Sequence, residues 1–293
     1  MNGWNYAYQL EPQGTDTFLF PVDGMYGGEA ITFVRDESDV VDSVIFANMP
    51  LPRLSDHAYT PTYSAVPLEK PIRVTSNTQT ALPEKVQEMS QGKPSELVDL
   101  TLVDPLFNLD IHYATPNNLL STQLYNESRA LLQRPVAEAI FRIQRQIRKI
   151  GYEFVVYDSY QPWHVSQMVW ESVPDSLQRY FNNPEENLCQ NNGTAVSLGL
   201  FELKTGNLMP MPTEYDVISP EAFSNSPLPA EELRWNRDFL RRIMESEGFT
   251  ASGDKWWHFT HKSCPDYAVL NDSYTDVAFI STSNLQRIFT VDR

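Results

Sequence analysis

The residues best suited to chemistry lie in one short stretch, Asp254-Lys-Trp-Trp-His-Phe259. It places the amine of Lys255 three residues before the imidazole of His258, beside Trp256 and Trp257. A lysine in a partly dry pocket has a lowered pKa and can act as a base or as an amine that traps a carbonyl. More often such a lysine binds a carboxylate or extends its ammonium group into solvent. Large aromatic side chains beside a strand more often form core or pocket wall than a ligand platform.

Polar residues in two other stretches are candidates to complete such a pocket. These candidate ligand-binding residues are Asp158, Tyr160, Gln161, Gln190 and Ser197. Asp158 also has a structural interpretation, because a carboxylate after a buried strand commonly accepts backbone N–H bonds in a turn. The same interpretation applies to Asp216.

Five stretches between residues 106 and 267 resemble, in order, the motifs of the D-alanyl-D-alanine dipeptidases. Residues 191–198 resemble part of Ser-x-His-x-x-Gly-x-Ala-x-Asp, and residues 254–259 resemble Glu-Trp-Trp-His-Phe. The other three are similar to Asp-x-x-Tyr-Ala-Thr-x-Asn-Asn-Phe at 109–118, Tyr-Asp-Gly-Tyr-Arg-Pro at 157–162 and Met-Gly-Thr-x-Phe-Asp at 211–216. The resemblance implies the α+β fold of zinc DD-peptidases and hedgehog-like proteins, an antiparallel sheet flanked by helices.

In the family that this chain resembles, zinc is held by a His, an Asp and the His of Glu-Trp-Trp-His, with one position open for water. Here the first His position holds Gln190 and the Asp position holds Ser197, so only His258 remains. The position of the family's catalytic Glu, which would exchange a proton with metal-bound water, holds Lys255 in this sequence. The position of the family's Arg, which stabilises the charged intermediate, holds Gln161 in this sequence. We therefore expect no metal site and no cofactor. We expect that the pocket keeps the shape of the family's active site but not its catalytic groups.

Several functions remain open at this point. The first is a noncatalytic or repurposed relative that binds a small amino-acid or peptide-derived ligand through Lys255, Gln161, Ser197 and the two tryptophans. The second is a metal-independent enzyme that uses Lys255 and His258 as its catalytic pair. In a third, residues 1–98 bind a protein partner and the pocket is a relic.

Zinc remains a less favoured alternative. If the motif is aligned one residue earlier, Cys189 could bind zinc together with His258 and a third ligand. A free cysteine, however, is usually a small buried apolar residue. A surviving zinc dipeptidase would require Gly193 to be misaligned. We expect His261 to be a surface residue and His164 to face solvent or to cap a helix.

Composition limits the class of protein. The chain has 293 residues, with 22 Lys and Arg against 38 Asp and Glu, a net charge of −16. This excess of negative charge argues against binding to nucleic acid or to an anionic membrane. Only Cys189 and Cys264 are present, without a framework of paired spacings, so we expect that disulfides do not hold the fold together. No signal peptide or membrane span is recognisable, which favours a soluble, cytoplasmic protein.

The chain divides into three predicted regions. Residues 1–98 form a β-rich or irregular N-terminal extension with short strands at 30–34 and 43–47, residues 99–270 form the dipeptidase-like domain, and residues 271–293 form a tail with possible strands at 277–280 and 287–291.

Within the domain, alternation predicts a strand at 109–113, and an apolar run predicts a buried strand at 154–157. Helices are predicted at 135–150, 163–170 and 229–247. The apolar face of the first comprises Val136, Ile140, Ile143, Ile147 and Ile150, and one face of the last comprises Leu233, Arg237, Leu240 and Met244.

Overall fold

The computed structural model describes residues 10–52 and 82–280, apart from residues 21–27, 29, 37, 47, 48, 90, 106, 119, 179, 182, 187, 278 and 279. The described residues fall into two compact units, residues 10–52 and residues 82–280. Residues 82–98, which the sequence assigned to the N-terminal extension, belong to the larger unit. The segment around Pro61, Pro67 and Pro71 lies outside the described residues.

The smaller unit is a five-stranded antiparallel sheet whose strands pair in chain order. Its strands are β1 (Glu11–Pro12), β2 (Thr17–Leu19), β3 (Ala30–Arg35), β4 (Val41–Phe46) and β5 (Met49–Pro52). The two short strands predicted at 30–34 and 43–47 are confirmed as β3 and β4. The β-branched and aromatic residues of these runs favour the pleated backbone.

The larger unit is built on a six-stranded sheet. Five strands run in the order β12-β13-β10-β9-β7, and β11 pairs with the far end of β10. All pairs are antiparallel except that of β7 with β9. The strands are β7 (Asn108–Leu109), β9 (Tyr152–Asp158), β10 (Ala195–Glu202), β11 (Asn207–Leu208), β12 (Phe249–Ala251) and β13 (His258–His261). A separate antiparallel pair joins β6 (Leu97–Asp99) to β8 (Leu131–Gln133).

Six helices flank these strands in the described part of the chain: α1 (Glu84–Met89), α2 (Leu100–Val103), α3 (Arg134–Arg148), α4 (Trp163–Ser172), α5 (Asp175–Gln178) and α6 (Glu231–Glu245). Helix α3 packs against β9, and α6 packs against β12. The mixed architecture with a mainly antiparallel sheet confirms the predicted α+β class. No described helix has the length and apolar character needed to cross a bilayer.

The three predicted helices are confirmed as α3, α4 and α6. The apolar stripe of α3 is buried from Val136 to Ile147, as its spacing of three to four residues predicts. Ile150 was assigned to the same face, but it is 60% exposed because the helix ends at Arg148. On α6, Arg237 is buried and donates to the carbonyl oxygen of Ser226 at 2.7 Å.

The strand predicted at 109–113 is wrong over most of its length. Only Asn108–Leu109 pairs with β9, and the chain then enters a short 3₁₀ helix at His112–Ala114. Ile111 and Tyr113 are buried nevertheless. The alternating pattern predicted the burial of Ile111 and Tyr113 but not that of His112, which is also buried. The turn that precedes Pro116 decided the backbone conformation.

Two predictions about sulfur and histidine are also wrong. Cys189 and Cys264 form a disulfide across a sequence separation of 75 residues. His261 is buried rather than exposed: its ring lies 4.9 Å from that of Phe249, and its Nδ1 lies 2.8 Å from Ser263 Oγ. Both errors concern the same region, because His261 is the last residue of β13 and Cys264 lies in the turn that follows it.

The remaining sequence predictions concern the tail and His164. His164 is partly buried, and both its backbone N–H and its Nδ1 lie 2.8 Å from Asn271 Oδ1. Ile280 donates its backbone N–H to the carbonyl oxygen of Leu97 at 2.8 Å. Residues 278 and 279 and the predicted strand at 287–291 lie outside the described residues.

We predict that the disulfide contributes measurably to stability. Replacing both cysteines with alanine should lower the free energy of unfolding by about 3 kcal/mol, because the bridge restricts a long loop of the unfolded chain. Guanidinium unfolding monitored by tryptophan fluorescence checks this. Adding a reductant to the wild type should reproduce the loss, whereas the double variant should not respond to it. Equal stability of the wild type with and without reductant would contradict the prediction.

Candidate active-site cleft

Three adjacent strands bring the central polar residues into one row. Ser197 of β10 is the register partner of Asp158 on β9 and of His258 on β13. The β9–β10 register shifts just after Ser197, at the point where β9 ends. Antiparallel neighbours on the same face of a sheet have Cβ atoms ~5 Å apart, so residues far apart in sequence meet here.

The row opens into a cleft with a cavity of about 70 Å³. Seven of the nine residues predicted for the site line it: Asp158, Gln161, Gln190, Ser197, Lys255, Trp257 and His258. The structure does not bring the other two to the cleft. Tyr160 is fully buried and donates to the Asp272 carbonyl oxygen at 2.7 Å, and Trp256 donates through Nε1 to Thr213 Oγ1 at 2.9 Å.

Ser197 and His258 form a direct pair. Ser197 Oγ lies 3.1 Å from His258 Nδ1, and both residues are buried. Burial, and then the neighbouring Lys255 ammonium, lower the pKa of His258 to about 3. The imidazole is therefore neutral near pH 7, where it can exchange hydrogen bonds but is a weak base.

Asp158 is enclosed by three hydrogen-bond donors. Its Oδ1 accepts from the Tyr125 hydroxyl at 3.0 Å and from the Ser159 backbone N–H at 2.9 Å, and its Oδ2 accepts from Gln190 Nε2. Burial nevertheless raises the pKa of Asp158 to about 7, with a further contribution from the negative charge of Asp216. The backbone bond that the sequence predicted for Asp158 is present, but the carboxyl group also lies at the cleft wall.

The two glutamines of the cleft are largely engaged in this network. Gln161 donates to the Tyr125 hydroxyl at 2.9 Å and accepts from Ser166 Oγ at 2.6 Å. Gln190 lies in the turn that begins at the disulfide, and its amide donates to Asp158. Both side chains therefore support the carboxyl group of Asp158 more directly than they offer donors to a ligand.

Gly193 shapes the turn that carries Gln190. Its φ of +75° lies in the left-handed region, and a Cβ there would come within 2.5 Å of the Leu97 side chain. Only glycine meets both conditions without strain. The glycine on which the motif resemblance depends is thus required by the backbone itself.

Lys255 supplies the positive charge of the cleft. Burial lowers its pKa, while the carboxylates of Asp254 and Asp216 act in the opposite direction. Among the described residues, its ammonium group forms neither a hydrogen bond nor an ion pair. A charged amine that lines a cleft in this way can bind an anionic group of a ligand.

Two acidic residues of the cleft were not recognised as site residues from sequence. Asp216 was interpreted as structural, and Asp254 was not assigned a role, yet both line the cavity. Asp216 has a φ of +66°, which is uncommon for a residue other than glycine and often marks a functional position. The signal that was available was the position of Asp216 at the end of the motif at 211–216.

The residues present do not fit the zinc ion that the family resemblance implies. Zinc needs three ligands among His, Cys, Asp and Glu, whereas the corresponding positions offer an amide, a hydroxyl and one imidazole. Within the described residues, no three side chains of those types lie close enough to share a metal ion. Cys189 is in the disulfide, which excludes the alternative site that would use its thiolate.

The burial of Asp158 predicts a specific pH dependence of stability. Its pKa is 3.8 in the unfolded chain and about 7 in the folded protein, so between these values the folded state binds one more proton and loses stability as pH rises. From about pH 5 to about pH 8 the loss from this group is about 3 kcal/mol.

Asp158→Asn should remove that part of the pH dependence, as measured by urea unfolding across this range. Asp276→Asn, at an exposed position, is the matched control and should keep the slope of the wild type. Identical slopes for Asp158→Asn and the wild type would contradict the buried, protonated carboxyl group.

Comparisons with known proteins establish the family of this chain. The family model of D-ala-D-ala dipeptidase matches residues 93–280. The D-alanyl-D-alanine dipeptidase of Escherichia coli (strain K12) is 28% identical over 187 residues, which cover 64% of this chain and 94% of the relative. The enzymes of the same name from Enterococcus faecalis (strain ATCC 700802 / V583) and Enterococcus faecium are 25% and 26% identical and are covered over 89% and 86% of their lengths. This chain belongs to the D-ala-D-ala dipeptidase family.

Proposed function

We propose that the cleft binds a small amino-acid or peptide-derived ligand without zinc, and that Lys255 holds the carboxylate of that ligand. The observation that carries this proposal is the ammonium group of Lys255, which lines the cleft without an ion-pair partner among the described residues. An enclosed charge is stabilised when a ligand supplies the opposite charge. Trp257 forms part of the apolar wall beside it.

The donor set supports a metal-free site. At the three positions where the family resemblance implies zinc ligands, this chain has Gln190, Ser197 and His258. Gln190 and Ser197 are neutral, and each takes part in a hydrogen bond within the protein. Lys255, at the position of the family's catalytic Glu, would repel a divalent cation rather than assist it.

A metal-independent enzyme on the same scaffold is the second candidate. It is favoured by the pKa of Asp158, which lies near neutrality and suits a proton-transfer group. His258 is the weaker member of the originally predicted Lys255–His258 pair, because its pKa near 3 makes it a poor base at neutral pH. Binding therefore has the stronger support, with Lys255 as its main charged contact.

Binding of a protein partner by the N-terminal region is a proposal, as are the exclusion of nucleic acid and membrane partners and a cytoplasmic location. The disulfide bears on the last of these, because such bonds persist mainly in oxidising compartments.

Removing the positive charge should weaken ligand binding. We expect wild-type protein to bind D-alanine or D-alanyl-D-alanine in titration calorimetry, and Lys255→Met to bind about ten-fold more weakly or not at all. Lys204→Met, in an exposed turn, makes the same change in net charge and should bind like the wild type. Equal affinity of the Lys255→Met variant would contradict the proposed role of Lys255.

Zinc content gives an independent test. Protein expressed with added zinc should contain far less than one zinc ion per chain by elemental analysis, and it should not hydrolyse D-alanyl-D-alanine. The opposite result, stoichiometric zinc that is lost in His258→Ala, would identify a working zinc dipeptidase and overturn the proposal.

A further inference from the structure

Apolar side chains form part of the cleft lining, beside its polar residues. Val169, Phe181, Val217 and Ile218 line the same cavity as Lys255. Val169 lies on α4 and is buried, whereas the other three are only partly buried. These four side chains are called the apolar lining below. Its remaining exposed surface is in contact with water, and a ligand that covers it with apolar groups gains hydrophobic free energy.

One part of the apolar lining lies next to the ammonium group in the fold. Val217 and Ile218 directly follow Asp216 in the chain. Burial lowers the pKa of Lys255, and the carboxylates of Asp254 and Asp216 oppose that shift, which places both carboxylates near the amine. Val217 and Ile218 therefore begin one residue away from a group that interacts with Lys255.

The other part of the apolar lining is connected to the same strand region by packing. Phe181 follows Tyr180, whose ring centroid lies 6.4 Å from that of Phe223. The residue before Phe223 accepts, through its carbonyl oxygen, the backbone N–H of Trp256 at 2.8 Å. Since Trp256 is the neighbour of Lys255 in the chain, a charged contact and an apolar contact lie within reach of one small molecule.

This combination determines which side chain a bound amino acid should carry. A carboxylate held by Lys255 leaves the rest of the ligand against the apolar lining. A polar group there would lose hydrogen bonds to water without finding partners on aliphatic carbon, whereas an apolar group would not. The cavity of about 70 Å³ has room for about five water-sized groups, which suits a branched chain of three or four carbons better than an indole ring.

We infer that the cleft selects an amino acid with a branched aliphatic side chain, of the size of valine or leucine, over a polar one of the same shape. This inference rests on the proposed function and names its ligand class. The carboxylate of the ligand would bind Lys255, and its side chain would pack against Phe181, Val217 and Ile218. The charge supplies affinity for any amino acid, and the apolar lining supplies the selectivity.

Leucine and asparagine form a matched pair of probes, because their side chains have the same branched shape and differ in polarity. Titration calorimetry of both enantiomers with the full chain should give about ten-fold tighter binding of leucine, since each buried CH₂ group strengthens binding by about four-fold. In the double variant Val217→Thr/Ile218→Thr, hydroxyl groups enter the apolar lining, and the preference should fall to about two-fold or less. Val40→Thr makes the same kind of exchange at an exposed position of the smaller unit and should keep the full preference.

The outcomes separate this inference from the proposed function. Equal or tighter binding of asparagine, with both probes weakened in Lys255→Met, would overturn the aliphatic preference while leaving the carboxylate site intact. A leucine preference that persists in the double variant, shown to be folded by circular dichroism, would also overturn it. Binding of alanine without binding of leucine would show that the cavity excludes the longer side chain, and would overturn the inference alone. If folded wild-type protein binds none of the three amino acids at millimolar concentration, both the inference and the proposed function fail.

Discussion

The register between β9, β10 and β13 is the constraint on which the cleft depends. It places Asp158, Ser197 and His258 side by side, although they are separated by up to 100 positions along the chain. A slip of one residue between any two of these strands would turn one member of the row to the opposite face of the sheet. The buried strands of the sheet and the stripe of α3 that packs on β9 make such a slip costly.

The electrostatic character of the cleft follows from which charges are enclosed and which are paired. Asp158 has three donors, but its burial still favours the protonated form near neutrality. Burial and the nearby ammonium group of Lys255 keep His258 neutral. Lys255 itself has no ion pair among the described residues, and its ammonium group lines the same cavity.

Elements whose apolar residues recur with one period over many positions could be predicted well from the sequence. Helices α3 and α6 and strand β9 each carry a long pattern of one period, and their burial follows that pattern except at Ile150 beyond the end of α3. The errors occurred where a short pattern fits more than one backbone. Residues 109–113 alternate like a strand, but most of that segment is a turn and a 3₁₀ helix. His261 follows the motif closely in sequence, yet its burial depends on Phe249 from the neighbouring strand.

The sequence by itself determined the family, the α+β class and most residues of the cleft, because motif order and residue type are local properties that survive at 25–28% identity. Only the tertiary structure decided that Cys189 meets Cys264, that Tyr160 and Trp256 face the interior, and that Asp216 and Asp254 share a cavity with Lys255. These outcomes depend on distances between residues that are remote in the chain. Burial, which sets the protonation of Asp158 and His258, is likewise a property of the assembled fold and is absent from any short stretch of sequence.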